Sequence, residues 1–239
     1  MWAKHRRLII LAAAAAVLAA VLAGVYWPAS TGSLVREAQS GSGADRLAAI
    51  QQLGRDRSAE AVEALASMAR DPDAAVAAQA VASLGRMRRA EALPPVKAAL
   101  HDTRPEVREA GAIALGYMGK RTDPQTLAAA LRSDPSADVR AAAARSLGLV
   151  RYWEAMPDLL SALADPSEDV RREAGAAVRR LFGRDFLYRA DDPPDQRAMR
   201  IAFIRSMWED YQRSPMYERF RWGSEPRPSG SGAVKENRP

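Results

Sequence analysis

One spacing governs this chain: a set of residues returns every 31 or 32 positions through its middle. Leu-Gly occurs at Leu53-Gly54, Leu84-Gly85, Leu115-Gly116 and Leu147-Gly148, in steps of 31, 31 and 32. Asp71, Asp102, Asp134 and Asp165 keep the same rhythm, as do Val76, Val107, Val139 and Val170. Arg108, Arg140 and Arg171 follow three of those valines, with Ala77 after the first. Independent columns that hold one register define a tandem unit. A unit this short cannot bury its own apolar face, so neighbouring units must stack.

Each unit reads as two helices. In one of them Glu91–Leu100 forms the first and Pro105–Met118 the second. Asp-Pro at Asp71-Pro72, Asp134-Pro135 and Asp165-Pro166 marks the turn between them: Asp caps a helix start, and Pro fits a first turn whose N–H has no partner. The glycine near the end of each second helix suits a left-handed C-cap. Val107, Ala110, Gly111, Ala114, Leu115 and Met118 fall at i, i+3, i+4, i+7, i+8 and i+11, one apolar stripe. Small Ala and Gly let helices approach to about 8–10 Å. The expected fold is all-α, a superhelix of about four to five stacked pairs.

The pattern D-P-x3-V-R-x2-A-x4-L-G resembles HEAT repeats of the short bacterial type called PBS-lyase HEAT-like, over residues 44–183. The resemblance implies a hydrogen-bonded ladder between repeats built from Asp102, Arg108, Asp134, Arg140, Asp165 and Arg171, broken on its N-terminal side where Ala77 replaces Arg. It also implies that second helices line the inner surface, where Gln79, Ser83, Glu109, Arg145, Arg172 and Glu173 are the candidates for binding a partner. Residues 28–43 read as a linker and a degenerate first helix, Ser33–Gln39, ahead of a second helix at Ala44–Leu53.

The two ends differ from the repeats. Leu8–Trp27 runs twenty residues without charge behind Lys4, Arg6 and Arg7. At about 1.5 Å per residue that is one hydrocarbon thickness. Residues 1–27 are therefore expected to be a basic stub and a transmembrane anchor with the body outside the cytoplasm, the alternative being a signal peptide cleaved near Val21-Leu22-Ala23. The anchor is preferred because the apolar run continues past Ala23 into Tyr26 and Trp27. At the other end, residues 182–222 hold nine of the fifteen aromatics. A helix over 193–212, in a segment 184–222, is expected to cap the stack. Tyr217, Phe220 and Trp222, beside Arg219 and Arg221, read as an aromatic binding patch, and 223–239 as a disordered tail.

Little chemistry is available. There is no Cys and only two His, His5 and His101, which excludes thiol catalysis, disulfides and most metal sites. P-loop, G-x-S-x-G and G-x-G-x-x-G patterns are absent. The net charge of +6 falls to +3 once the three N-terminal cations are set aside, weak support for nucleic acid. Arg86, Arg88, Arg89, Lys120, Arg121 and Arg151 fall at turns between units as a basic rim. The resulting expectation is a non-catalytic, membrane-anchored, extracytoplasmic scaffold for an unknown protein partner, with no cofactor, nucleic acid or small-molecule substrate. The rival is an enzyme or accessory related to bilin lyases or HEAT-type hydroxylases. The His-Glu pairs that the latter use for iron are missing.

Overall fold

A computed structural model describes residues 30–214 and Tyr217, with Lys120 described by its backbone alone. Ten helices form five antiparallel pairs: α1 Thr31–Ser40 with α2 Gly43–Leu53, α3 Ala59–Met68 with α4 Ala74–Met87, α5 Leu93–Ala99 with α6 Pro105–Met118, α7 Pro124–Ser133 with α8 Ala137–Val150, and α9 Met156–Ala162 with α10 Glu168–Phe182. An eleventh helix, α11, spans Pro194–Gln212. Among the described residues there is no strand. Each second helix packs on the second helix of the next pair, α2 on α4, α4 on α6, α6 on α8 and α8 on α10, while successive first helices touch far less. The result is a two-layered solenoid whose tighter layer is that of the second helices.

Local chemistry accounts for where helices start. Ser30, Ser58 and Asp73 accept hydrogen bonds from the backbone N–H of Ser33, Ala61 and Ala75. Prolines stand in the first turns of α6 and α7, and Glu106, Asp138, Glu168 and Asp169 place negative charge at the starts of α6, α8 and α10.

Helix ends depart from expectation. The glycines of the Leu-Gly steps are not left-handed caps; Gly85, Gly116 and Gly148 lie inside their helices. Left-handed caps fall instead on Arg88 (φ 53°), Arg151 (φ 57°) and Gly183 (φ 69°). The glycine column serves approach between repeats. A Cβ at Gly85 would lie 2.5 Å from Ala114 Cβ, one at Gly116 2.6 Å from Ser146 Oγ, and one at Gly148 2.7 Å from Ala177 Cα. Each glycine therefore receives a small residue of the next second helix at backbone contact.

The core runs the length of the stack. Leu53, Leu84, Leu115 and Leu147 are fully buried from the second helices, and Leu65, Val96, Leu127 and Leu159 from the first belong to the same core. At the C-terminal end residues 183–193 leave α10 and lie along it, Tyr188 seating over Gly175 and donating its hydroxyl to Leu163 O at 2.5 Å. Then α11 packs on α9, burying Ile204 and Trp208. Trp208 and Tyr211 stack on Trp153 at 6.0 and 4.7 Å, and Phe182 meets Trp153 edge-on at 5.3 Å. Tyr217 joins this aromatic cluster against Trp208; Phe220 and Trp222 lie outside the described residues.

The expected single-pass membrane localisation is corrected. No helix among the described residues is long and apolar enough to cross a membrane, and the segment 8–27 on which that expectation rested lies outside them. Residues 223–239 lie outside them as well.

Candidate functional site

The turns between paired helices carry a continuous series of charged rungs. Arg108 donates from Nε and Nη2 to the two carboxylate oxygens of Asp134 at 2.8 and 2.9 Å, and from Nη1 to Asp102 O and Thr103 O at 3.1 and 3.0 Å. Arg140 repeats this one unit on, with both Asp165 oxygens at 2.9 Å and Asp134 O at 2.9 Å. The aspartates also accept the N–H two residues ahead, Ser136 for Asp134 and Ser167 for Asp165. One guanidinium thus ties two turns together, and a bidentate fork fixes their relative angle as well as their distance. At the last unit Arg171 makes the same carbonyl contacts to Asp165 and Pro166, but its Nε donates to Ala190 O at 2.9 Å. The end segment takes the place of a further repeat.

The ladder is not broken at Ala77, contrary to expectation. Arg104 donates from Nε and Nη2 to Asp102 at 2.9 Å each, and from Nη1 to Asp71 O at 2.7 Å and Pro72 O at 3.1 Å. These are the four bonds an arginine at position 77 would make by analogy with Arg108 and Arg140. The guanidinium reaches the same place from the opposite turn. One rung earlier Arg46, 31 residues before Ala77, holds Asp71 and donates to Ala38 O at 2.9 Å. The column therefore begins a unit sooner than the Asp-Pro turns reveal, because Ser40 stands where an aspartate would.

Electrostatics follow from these bonds. The hydrogen bonds from Arg104 hold the Asp102 carboxyl down to about 2 against its burial. At Asp134 and Asp165 burial pushes up, but the forks from Arg108 and Arg140, the turn N–H groups and the nearby charges outweigh it, and both lie below the ordinary carboxylate range. A second set of ties crosses the first-helix layer, Lys97 to Asp123 and Arg132 to Asp158 at 2.8 Å.

Of the residues expected on the second-helix face, Arg145 and Arg172 are exposed and Gln79, Glu109 and Glu173 are half-buried. Arg145 on α8 pairs with Glu173 on α10 through two bonds of 3.2 and 2.9 Å. Arg172 pairs locally with Asp169 and Glu168. Burial pushes Glu109 up, with Asp138 and Glu106 adding to it and Arg145 opposing. Ser83 is a correction: it is fully buried. It occupies the position that receives Gly54, equivalent to Ala114, Ser146 and Ala177, and is there because it is small.

The expected rim residues serve several turns. Arg86 donates to Ser83 Oγ at 3.1 Å. Arg88 brings its guanidinium to Gly119, at the end of the next second helix. Arg89 pairs with Glu91 and donates to Arg57 O at 2.7 Å. Arg151 points its Nη2 at Leu181 O, 3.5 Å away. Arg121 is exposed and Lys120 lies on the short turn Gly119–Arg121. His101 is exposed at a turn. Among the described residues no three His, Cys, Asp or Glu side chains gather as metal ligands.

Comparison with known proteins agrees with the stacked pairs and their rungs. The family model for HEAT repeats matches residues 33–116 and 124–207, more than half of the chain. This chain belongs to the HEAT-repeat family. The match takes in α1 at one end and most of α11 at the other, beyond the span 44–183 that the repeat pattern marks out. Among solved structures, the complex of CpcE and CpcF of phycocyanin lyase from Nostoc sp. PCC7120 is similar at 22% identity with a TM-score of 0.54, over 65% of this chain and 66% of that one. A designed armadillo repeat protein in complex with the peptide (KR)4 aligns at 16% identity, TM-score 0.48, over 80% of this chain and 95% of its own. Human deoxyhypusine hydroxylase aligns at 17% identity, TM-score 0.37, over 79% and 99%. No curated protein matches this chain.

Proposed function

We propose that this HEAT-repeat chain is a non-catalytic scaffold that binds a protein partner on its second-helix face. The observation that carries the reading is the ladder. Forked Arg–Asp rungs join each turn to the next, so the second helices hold one face at fixed spacing before any partner arrives. A preformed face binds with little ordering cost. Gln79, Glu109, Arg145, Arg172 and Glu173 give that face a mixed polar character suited to selecting a partner. HEAT and armadillo-like repeats commonly bind proteins, and the similar lyase chain is itself part of a two-protein complex. The basic rim stands as a secondary contact edge, through Arg86, Arg121 and Lys120.

The test places a photo-crosslinking amino acid at Gln79 or Glu109, and for comparison at Glu63 or Arg132 on the first-helix layer, in cells. Discrete adducts from the second-helix positions alone are expected. Adducts only from the first-helix layer would overturn the reading. The similarity to a phycocyanin lyase complex supports a second reading, in which the scaffold handles a tetrapyrrole. A visible absorption band in the protein purified from its native cells would favour it.

A further inference from the structure

Immediately after each of the four Leu-Gly steps, and after Val178-Arg179 in the fifth repeat, comes a position that is exposed in all five. Its occupants in chain order are Arg55, Arg86, Tyr117, Leu149 and Arg180. Tyr117 is 51% and Leu149 49% exposed, and they are the exposed large hydrophobics of the second-helix layer; the others, Leu187, Met199 and Phe203, belong to the C-terminal cap. Tyr117 and Leu149 sit one repeat apart on α6 and α8, which Gly116 and Ser146 bring into backbone contact. The equivalent positions on either side hold arginine, so the site tolerates a charged, solvated side chain. No packing demand among the described residues explains two apolar residues here. Half-buried Ile113 lies one turn before Tyr117, and Arg145 one turn before Leu149, close enough for its charge to feel Tyr117.

The charge around this lane is one-sided. Arg55, Arg86 and Arg180 have no carboxylate partner among the described residues, unlike the arginines of the ladder. Of the acids on the same face, Glu106, Glu109 and Asp138 lie in the first halves of their helices, and Glu173 is taken up by its pair with Arg145. We infer that the lane is a docking track for an extended acidic segment that carries two apolar side chains. This rests on the second-helix face being the interaction surface and adds the chemistry of what it takes. Neighbouring helices pack at about 8–10 Å, and an extended chain in the polyproline-II form advances about 3.1 Å per residue with every third side chain on one face. One repeat therefore matches about three ligand residues. The complementary pattern is acid-x-x-apolar-x-x-apolar-x-x-acid, with its ends on Arg86 and Arg180 and its apolar pair on Tyr117 and Leu149. The chain's own residues 223–239 do not fit, since Arg227, Lys235 and Arg238 outnumber Glu225 and Glu236.

The test measures fluorescence anisotropy of the full chain with a labelled peptide bearing Glu-x-x-Phe-x-x-Leu-x-x-Glu in Gly and Ser. Two twins accompany it, one with the acids changed to Lys and one with Phe and Leu changed to Ser. The acidic apolar peptide is expected to bind at least about tenfold more tightly than either twin. The double variants Arg86→Glu/Arg180→Glu and Tyr117→Ser/Leu149→Ser should each lose about tenfold with unchanged helical signal and melting, because all four side chains are exposed. No binding of the acidic peptide, equal binding of all three, or variants that bind like the parent would overturn the inference. If the Lys twin binds instead and crosslinks from Gln79 persist in cells, the ligand chemistry is wrong but the interaction face stands. If crosslinks from that face also vanish, both fail.

Discussion

Arg104 and Ala77 show what a rung requires: a guanidinium at one point in space, whichever turn supplies it. Replacing Arg104 with Ala leaves the carbonyl oxygens of Asp71 and Pro72 without this donor and Asp102 with only the backbone N–H of residue 104. The expected cost is about 1–2 kcal/mol, the range for hydrogen bonds to a charged group, reduced because the site is partly solvated. Adding Ala77→Arg to Arg104→Ala should recover most of it, since Arg108 and Arg140 make equivalent bonds from the equivalent position; chemical denaturation of the single and double variants checks this. Acid provides a second test. Asp102 titrates at about 2 in the folded chain and near 3.9 when unfolded. Between those values the unfolded chain binds more protons, so the rung's contribution is full above about pH 4 and is lost as pH falls toward 2. Asp134 and Asp165, also depressed, act in the same direction. Urea midpoints measured down that range should fall steeply, and less steeply in Arg104→Ala.

At the scale of helices, the glycine column decides how closely repeats stack. Gly85→Ala gains about 1 kcal/mol of helix propensity. It also drives a methyl to 2.6 Å from the Ala114 backbone, and such overpacking costs about 1–3 kcal/mol. The clash should win, so a net loss of stability is expected on thermal melting, whereas Gly43→Ala, with open space around it, should not destabilise. The same column shows what was legible in the sequence. Its period, with the leucines and aspartates beside it, marked out the helix pairs as about four to five, while the ladder at Arg108 and Arg140 was implied by the resemblance to HEAT repeats rather than by the period. The purpose of the glycines was not legible, because a small residue answers equally to a left-handed turn and to a neighbour's backbone. Ser83 was misplaced for a related reason: its hydroxyl suggests solvent, but its size is what the contact with Gly54 demands. Arg104 was out of reach, since no column predicts a side chain that crosses from the other turn. The exposed Tyr117 and Leu149 could have been found by comparing the residue after each Leu-Gly across units.

For the molecule as a whole, stability should be graded along the stack. A repeat touches only its neighbours, so those with two neighbours open last. Amide exchange should be slowest in α6 and α8 and faster in α1 and α2, whose contact with α4 is looser than that of α6. The aromatic cap of Trp153, Phe182, Trp208 and Tyr211 should slow exchange in α10 relative to α2; mass-spectrometric exchange of the intact chain would show the asymmetry. The described end of the stack also carries a consequence for assembly. An array that adds units by one repeated contact has no inherent length, and two copies meeting head to tail would grow into filaments. At the last second helix, the position of the Leu-Gly glycine is held by Arg179, exposed and far too large for another helix to settle against. Residues 183–193 already lie along that helix, and a bulky cation beside them adds a second obstacle to growth, keeping a modular design from becoming a polymer.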